Sequence, residues 1–249
     1  MGAALGVMIV VLFAATILGV IYARGARLAA VPAGTFVHVC MRANVSFVGL
    51  PVIFYLVAGR PDAAALRAKA FLIIAPFILI QTVIGLIALL APQHRPGLGM
   101  VRTIGREIIT NPILLSTALG GVVAWAGWKL PAALTRSLDP LGAIASPLAL
   151  LAIGAALLTV PIRGNRTTAL VASATKVGIM PALGWALGRW AGLGDGTMMV
   201  MLVYLACPTG PSSFSLVTEM GGDESIASTT IVLSTLLSAI PLAVIAAAF

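Results

Sequence analysis

Long apolar runs alternate with short polar stretches along the whole chain. About 20 consecutive apolar residues cross a bilayer as a helix, and eight stretches reach that length: 2–22, 35–58, 69–91, 107–127, 139–159, 168–190, 197–218 and 224–247. The pattern predicts an all-α polytopic membrane protein with eight transmembrane helices. The first run ends at Arg24 and Arg27, a basic anchor suited to the bilayer interface.

Two of the runs carry an interruption. In 197–218 the segment Cys207-Pro208-Thr209-Gly210-Pro211-Ser212-Ser213 sets two prolines three residues apart around a glycine. Each proline removes a backbone donor and collides with the preceding turn, so a helix does not continue through it. Non-helical backbone at membrane depth is tolerated only where protein buries it or it lines a cavity. The run therefore predicts a helix broken at mid-depth, with Ser212 and Ser213 as caps of its second half. In 35–58 the segment from Arg42 to Pro51 holds Asn44 and Gly49 as well. Arg42 and Asn44 are costly in lipid unless they face protein or water, and Gly49 and Pro51 weaken the helix one turn on. This is a second broken helix.

The two breaks resemble each other. At a fixed offset of 160, Pro51 matches Pro211, Phe54 matches Phe214, Leu56 matches Leu216 and Val57 matches Val217, four identities in the seven positions 51–57. Asp62 matches Asp223 one inserted residue later. A break, a half-helix, a glycine, an acidic residue and a new span follow in the same order, which reads as an internal repeat. The breaks fall in the second and seventh runs, an odd separation, so the two copies cross the membrane in opposite directions as inverted repeats do. Runs one to three pair with six to eight. Runs four and five have no N-terminal counterpart, which gives three plus five spans of a five-plus-five parent. The domain layout follows: 1–91 is an N-terminally shortened first repeat, 92–106 an inter-repeat loop, and 107–249 a five-span second repeat.

Composition agrees. The 249 residues are 60% hydrophobic and 9% charged, with mean hydropathy +1.11, against about 25% charged for a soluble domain. The net charge of +8 reads as basic loops at lipid headgroups, with no aromatic-interleaved patch to suggest nucleic acid. Cys40 and Cys207 lie inside runs and form no CxxC, so both read as small buried residues. His38 and His94 are far apart and have no partner ligands, and neither a metal nor a cofactor is expected. Asn111-Pro112 reads as a helix start. Lys176 lies about 12 Å into its helix at 1.5 Å per residue. It is read either as a snorkelling or structural lysine or as part of a pathway, since intramembrane charges mark pathways.

Three blocks are similar to the auxin efflux carrier family of permeases, which includes plant auxin exporters and bacterial organic-acid carriers. They are Arg42-x-Asn44-x-x-Phe47-x-Gly49-x-Pro51; Asn111-Pro112 with Ser146-Pro147 and the run to Ala155; and Gly221-Gly222-Asp223 with Ala227-Ser228 and Leu233 to Leu236. Lys176 followed by Pro181 resembles the family's lysine-and-proline span. The resemblance implies ten spans in two inverted five-span repeats, crossed broken helices matching the second and seventh runs here, and a transport domain rocking against a scaffold, often as a dimer. It also implies an integral protein of the plasma membrane, the inner membrane in a bacterium. The family's first two spans have no counterpart in the chain, and Val45-Ser46 stands where the family often has Thr-Gly.

The reading that results is a secondary carrier of small organic anions, not an enzyme. Its substrate site comprises Arg42, Asn44, Gly49, Pro51, Lys176, Pro208, Thr209, Gly210, Pro211, Ser212 and Ser213. Half-helix N-termini, each with about half a positive charge, would face the midplane, and freed amides near Gly49 and Gly210 would act as donors. All seven acidic residues sit at or near the ends of runs, which argues against a carboxylate-centred cation antiporter. Two other readings stand beside it. One is a membrane-embedded enzyme, for which Ser212 and Ser213 would need a base. The other is a non-transporting remnant or assembly partner of such a carrier. Expected partners are the organic anion, membrane lipid and a second copy of the chain.

Overall fold

The computed structural model of the protein describes residues 2–93, 97–110, 112–159 and 166–249. Among them are twelve α-helices and no strand: α1 (Gly2–Gly25), α2 (Ala30–Met41), α3 (Leu50–Leu56), α4 (Ala63–Leu90), α5 (Leu98–Thr110), α6 (Pro112–Trp125), α7 (Ala132–Thr159), α8 (Arg166–Ala174), α9 (Met180–Trp190), α10 (Asp195–Ala206), α11 (Ser212–Glu219) and α12 (Glu224–Ala248). A π-helical turn, Val45–Gly49, precedes α3, and a second, Thr175–Ile179, joins α8 to α9. Such turns are rare and recur at functional sites.

Among the described residues, five segments are long and apolar enough to cross a membrane: α1, α2 through α3, α4, α8 through α9, and α12. The run over 197–218 is two helices, as the break at 207–211 predicts. α10 has 12 residues and α11 has 8; at 1.5 Å per residue the longer one spans about 18 Å, well short of a bilayer core of ~30 Å. The loop expected over 92–106 is different, because α5 occupies Leu98–Thr110. There Leu98, Val101, Ile104 and Ile108 recur at spacings of three and four while Arg102 and Arg106 fall opposite, an amphipathic pattern that favours a helix over a loop. Pro112 opens α6 as expected. Asn111, its expected cap, and His94 lie outside the described residues.

Among the described residues the packing forms two apolar cores. The larger gathers α1, the start of α4 and α10 around Met8, Phe77, Met201 and Tyr204. The smaller gathers α2, the end of α4 and the start of α12 around Phe36, Leu86, Leu89 and Ala227. From Met198 to Ala206 every residue of α10 is buried, which explains a helix that is apolar all round. α2 lies so close to α4 that a Cβ on Gly34 would sit 2.6 Å from the Leu89 carbonyl oxygen. At the turn between α3 and α4, Arg60 bonds Asp62 at 3.0 Å and donates to the Phe249 backbone oxygen at 3.0 Å. That hydrogen bond from Arg60 holds the exposed Asp62 carboxyl below its usual range.

Candidate functional site

A broken helix leaves backbone groups without intrahelical partners, and buried ones have to be satisfied elsewhere. Both breaks meet this demand by borrowing side chains from other helices. At the end of α2 the amide of Ala43 donates to Gln81 Oε1 on α4 at 3.1 Å, and Gln81 Nε2 donates to the Ala43 carbonyl at 3.3 Å. The Val39 carbonyl, which the Ala43 amide would have met in a continuous helix, accepts from Thr209 Oγ1 at 2.9 Å. At the end of α10 the Thr209 amide donates to Ser234 Oγ on α12 at 3.0 Å. The Leu205 carbonyl, freed in the same way, accepts from Lys176 Nζ at 2.7 Å.

The breaks also meet each other. The Asn44 amide donates to the Pro208 carbonyl at 2.8 Å, and a Cβ on Gly210 would lie 3.6 Å from Asn44 Cβ. The two interrupted helices therefore cross where each comes apart. Arg42 sits at the crossing, 9% exposed, with Nη1 3.3 Å from Thr82 Oγ1 and Nη2 3.5 Å from Ser212 Oγ. Arg42, Asn44, Gln81 and Ser212 line a cavity of about 80 Å3, room for several waters. It is accessible on one side, where Phe47 and Ser212 are exposed. Asn44 Oδ1 accepts from the Phe47 amide at 3.3 Å, which fixes the orientation of the side-chain amide. Its Nδ2 is buried and has no hydrogen-bond partner.

A family model described as membrane transport protein matches residues 1–246. This chain belongs to the auxin efflux carrier family of membrane transport proteins. No curated protein matches it.

Within this carrier-family chain the expected site residues divide. Arg42, Asn44, Pro208, Thr209, Gly210 and Ser212 come together at the crossing. Ser213 is buried beside them, with a hydroxyl that has no partner. Neither serine caps α11: Pro211 is the residue before the helix, and no side chain caps it. Gly49 is not a free donor. Its amide bonds the Asn44 carbonyl at 3.2 Å inside the π-helical turn, and it is small because the Tyr204 ring lies against it, 2.7 Å from where a Cβ would stand. Pro51 starts α3 and lines a separate apolar cavity against Leu242. Lys176 does not snorkel; it is fully buried in the second π-helical turn and holds the end of α10.

Gln81, Thr82 and Ser234 belong to the crossing, and the sequence reading assigned them no role there. A polar pair in an apolar run, Gln81-Thr82 or Ser234-Thr235, is their only signal, and it does not say which backbone group each residue serves. His38 stands one turn before Arg42. It is buried with Nδ1 2.9 Å from the Gly85 carbonyl. Bonding a carbonyl requires the proton on Nδ1, which leaves Nε2 as a buried lone pair without a partner.

Proposed function

We propose that this transport protein is a secondary carrier of small organic anions and that it binds them at the crossing of its two broken helices. The observation that carries this reading is the buried, unpartnered Asn44 Nδ2 on the wall of a cavity that Arg42 also lines. A buried donor without an acceptor costs about 1–3 kcal/mol, and an anion held beside the Arg42 guanidinium would supply that acceptor. The N-terminal end of α11 at Ser212 adds partial positive charge on the same side. The cavity matches a carboxylate group in size, so a larger substrate would leave its remaining atoms at the exposed edge beside Phe47 and Ser212.

The same reading takes 1–91 and 107–249 as inverted repeats of eight spans in all, in a plasma membrane. The parallel treatment of the two breaks supports it. In each, an amide goes to a side chain of the span after the broken one, Gln81 on α4 or Ser234 on α12, and the carbonyl four residues earlier takes a side-chain donor.

Uptake into proteoliposomes of radiolabelled acetate, lactate, malonate and malate tests the site. Flux of at least one, abolished by Asn44→Asp and by Arg42→Gln, is the expected result. Wild-type flux in both variants would remove the crossing as the binding site. No flux of any organic anion by the intact protein would favour a non-transporting assembly partner.

A further inference from the structure

A larger cavity lies away from the crossing, between α1, α2 and α4. It holds about 980 Å3 and is walled mainly by apolar side chains, among them Phe13, Val20, Ile84 and Ala88. Arg24 and Arg27 stand at its rim, and among the described residues no Asp or Glu lines it. Along α1 its wall runs from Phe13 to the Arg24–Arg27 end, roughly 20 Å at 1.5 Å per residue. Half of a bilayer core is about 15 Å. The groove thus reaches from headgroup depth to the middle of the membrane, the path of acyl chains in one leaflet.

Arg27 is held in place by the backbone. α1 ends in a Schellman arrangement: the Leu28 amide bonds the Ala23 carbonyl at 2.9 Å, and the Arg27 amide bonds the Arg24 carbonyl at 3.1 Å. The residue between those bonds takes a left-handed conformation, and here Arg27 takes it with φ 51, the one non-glycine positive φ among the described residues. Glycine is the residue that adopts this geometry without strain, and strain of this kind is kept where a side chain has a task.

We propose that this groove is a binding site for an anionic phospholipid, with the acyl chains along α1, α2 and α4 and the phosphate between Arg24 and Arg27. The charge at the rim selects a negative headgroup, and the apolar walls select chains over a free anion. Each arginine near the headgroup contributes roughly fivefold to affinity for an anionic lipid. The site is independent of the crossing and of what the protein carries.

Native mass spectrometry of the full chain, with phosphatidylglycerol and phosphatidylcholine of matched chains, tests the assignment. The expected result is retention of phosphatidylglycerol over phosphatidylcholine, reduced roughly fivefold by Arg24→Gln and by Arg27→Gly. Arg27→Gly removes the strained φ, so its thermal stability is expected to equal or exceed that of the parent while its lipid preference falls. A purely structural Arg27 would not separate these readouts. Ala88→Trp, which fills the groove, is expected to expel both lipids. Equal retention of the two lipids by the parent protein, or an unchanged preference in Arg27→Gly, overturns the proposal. So does stabilisation by glycerol 3-phosphate equal to that by phosphatidylglycerol, because the groove would then bind a free phosphate.

Discussion

The Asn44 amide nitrogen donates to the Pro208 carbonyl oxygen at 2.8 Å, so the two interrupted helices are joined backbone to backbone at the point where each comes apart. Neither break is a free loop. Each one's exposed backbone is completed by the other or by a helix packed against it, so a change at one break is felt at the other.

That contact gives a direct test of the crossing. A Cβ on Gly210 would lie 3.6 Å from Asn44 Cβ, inside the ~3.5–4.5 Å separation that disulfides require. With Cys40 and Cys207 replaced by alanine, Asn44→Cys combined with Gly210→Cys is expected to cross-link under mild oxidation. Maleimide labelling of membranes before and after oxidation reads the result. Two thiols that stay reactive would mean that the helices do not cross here.

Close approach of α2 to α4 predicts a second outcome. Gly34→Ala places a Cβ against the backbone carbonyl of Leu89, which cannot swing aside as a side chain can. Overpacking of this kind costs about 1–3 kcal/mol. Gly6→Ala in α1 meets nothing within 4 Å and is expected to be neutral or to stabilise by about 0.5–1 kcal/mol. Thermal melts in detergent of the two variants compare them directly. A Gly34→Ala protein as stable as Gly6→Ala would contradict the packing.

Lys176 separates a supporting role from a substrate ligand. Its ammonium completes the Leu205 carbonyl and sits at the negative end of α10. Lys176→Met keeps an unbranched side chain one atom shorter and removes the donor, leaving a buried carbonyl unsatisfied at about 1–3 kcal/mol. The expected signature is a lower melting temperature together with reduced kcat for uptake. A change in KM alone, at parental stability, would make Lys176 a ligand of the transported anion instead.

The second break could be read from the sequence because Pro208, Gly210 and Pro211 cluster within four residues and act locally. The first falls at 42–44, ahead of the π-helical turn and of Pro51, which stands in the first turn of α3. Its signal is Arg42 and Asn44, polar in a run that otherwise belongs in lipid, whereas lone prolines such as Pro76 and Pro241 stand inside helices. What could not be read is which group each polar residue would serve. Gln81 and Ser234 are 38 and 25 residues from the amides they complete, and no local pattern links such pairs. Gly49 misled for a related reason: its freedom of backbone suggested an open donor, whereas the Tyr204 ring, brought from α10, is what requires a small residue there. α5 was missed because its apolar positions are spaced for one face of a helix rather than joined in a run.

Asp223 carries the last prediction. It stands just before α12, and its Oδ1 accepts from the amides of Ser225 and Ile226 at 3.0 and 3.1 Å, while its own amide donates to Thr35 Oγ1 on α2 at 2.8 Å. The cap therefore fixes the start of α12 and ties it to the helix that breaks at Arg42. Ser234, which completes the Thr209 amide, lies about 15 Å further along the same helix at 1.5 Å per residue. Losing an aspartate cap costs roughly 0.5–2 kcal/mol, so Asp223→Ala is expected to lower the melting temperature and to reduce uptake, whereas Asp223→Asn, which keeps an acceptor oxygen, is expected to retain most of both. Thr35→Val should repeat the loss by removing the acceptor for the Asp223 amide, and Thr35→Ser should not. If Asp223→Ala and Thr35→Val both melt with the parent protein, the start of α12 is held by apolar packing, and the Asp223 cap and its hydrogen bond to Thr35 contribute little.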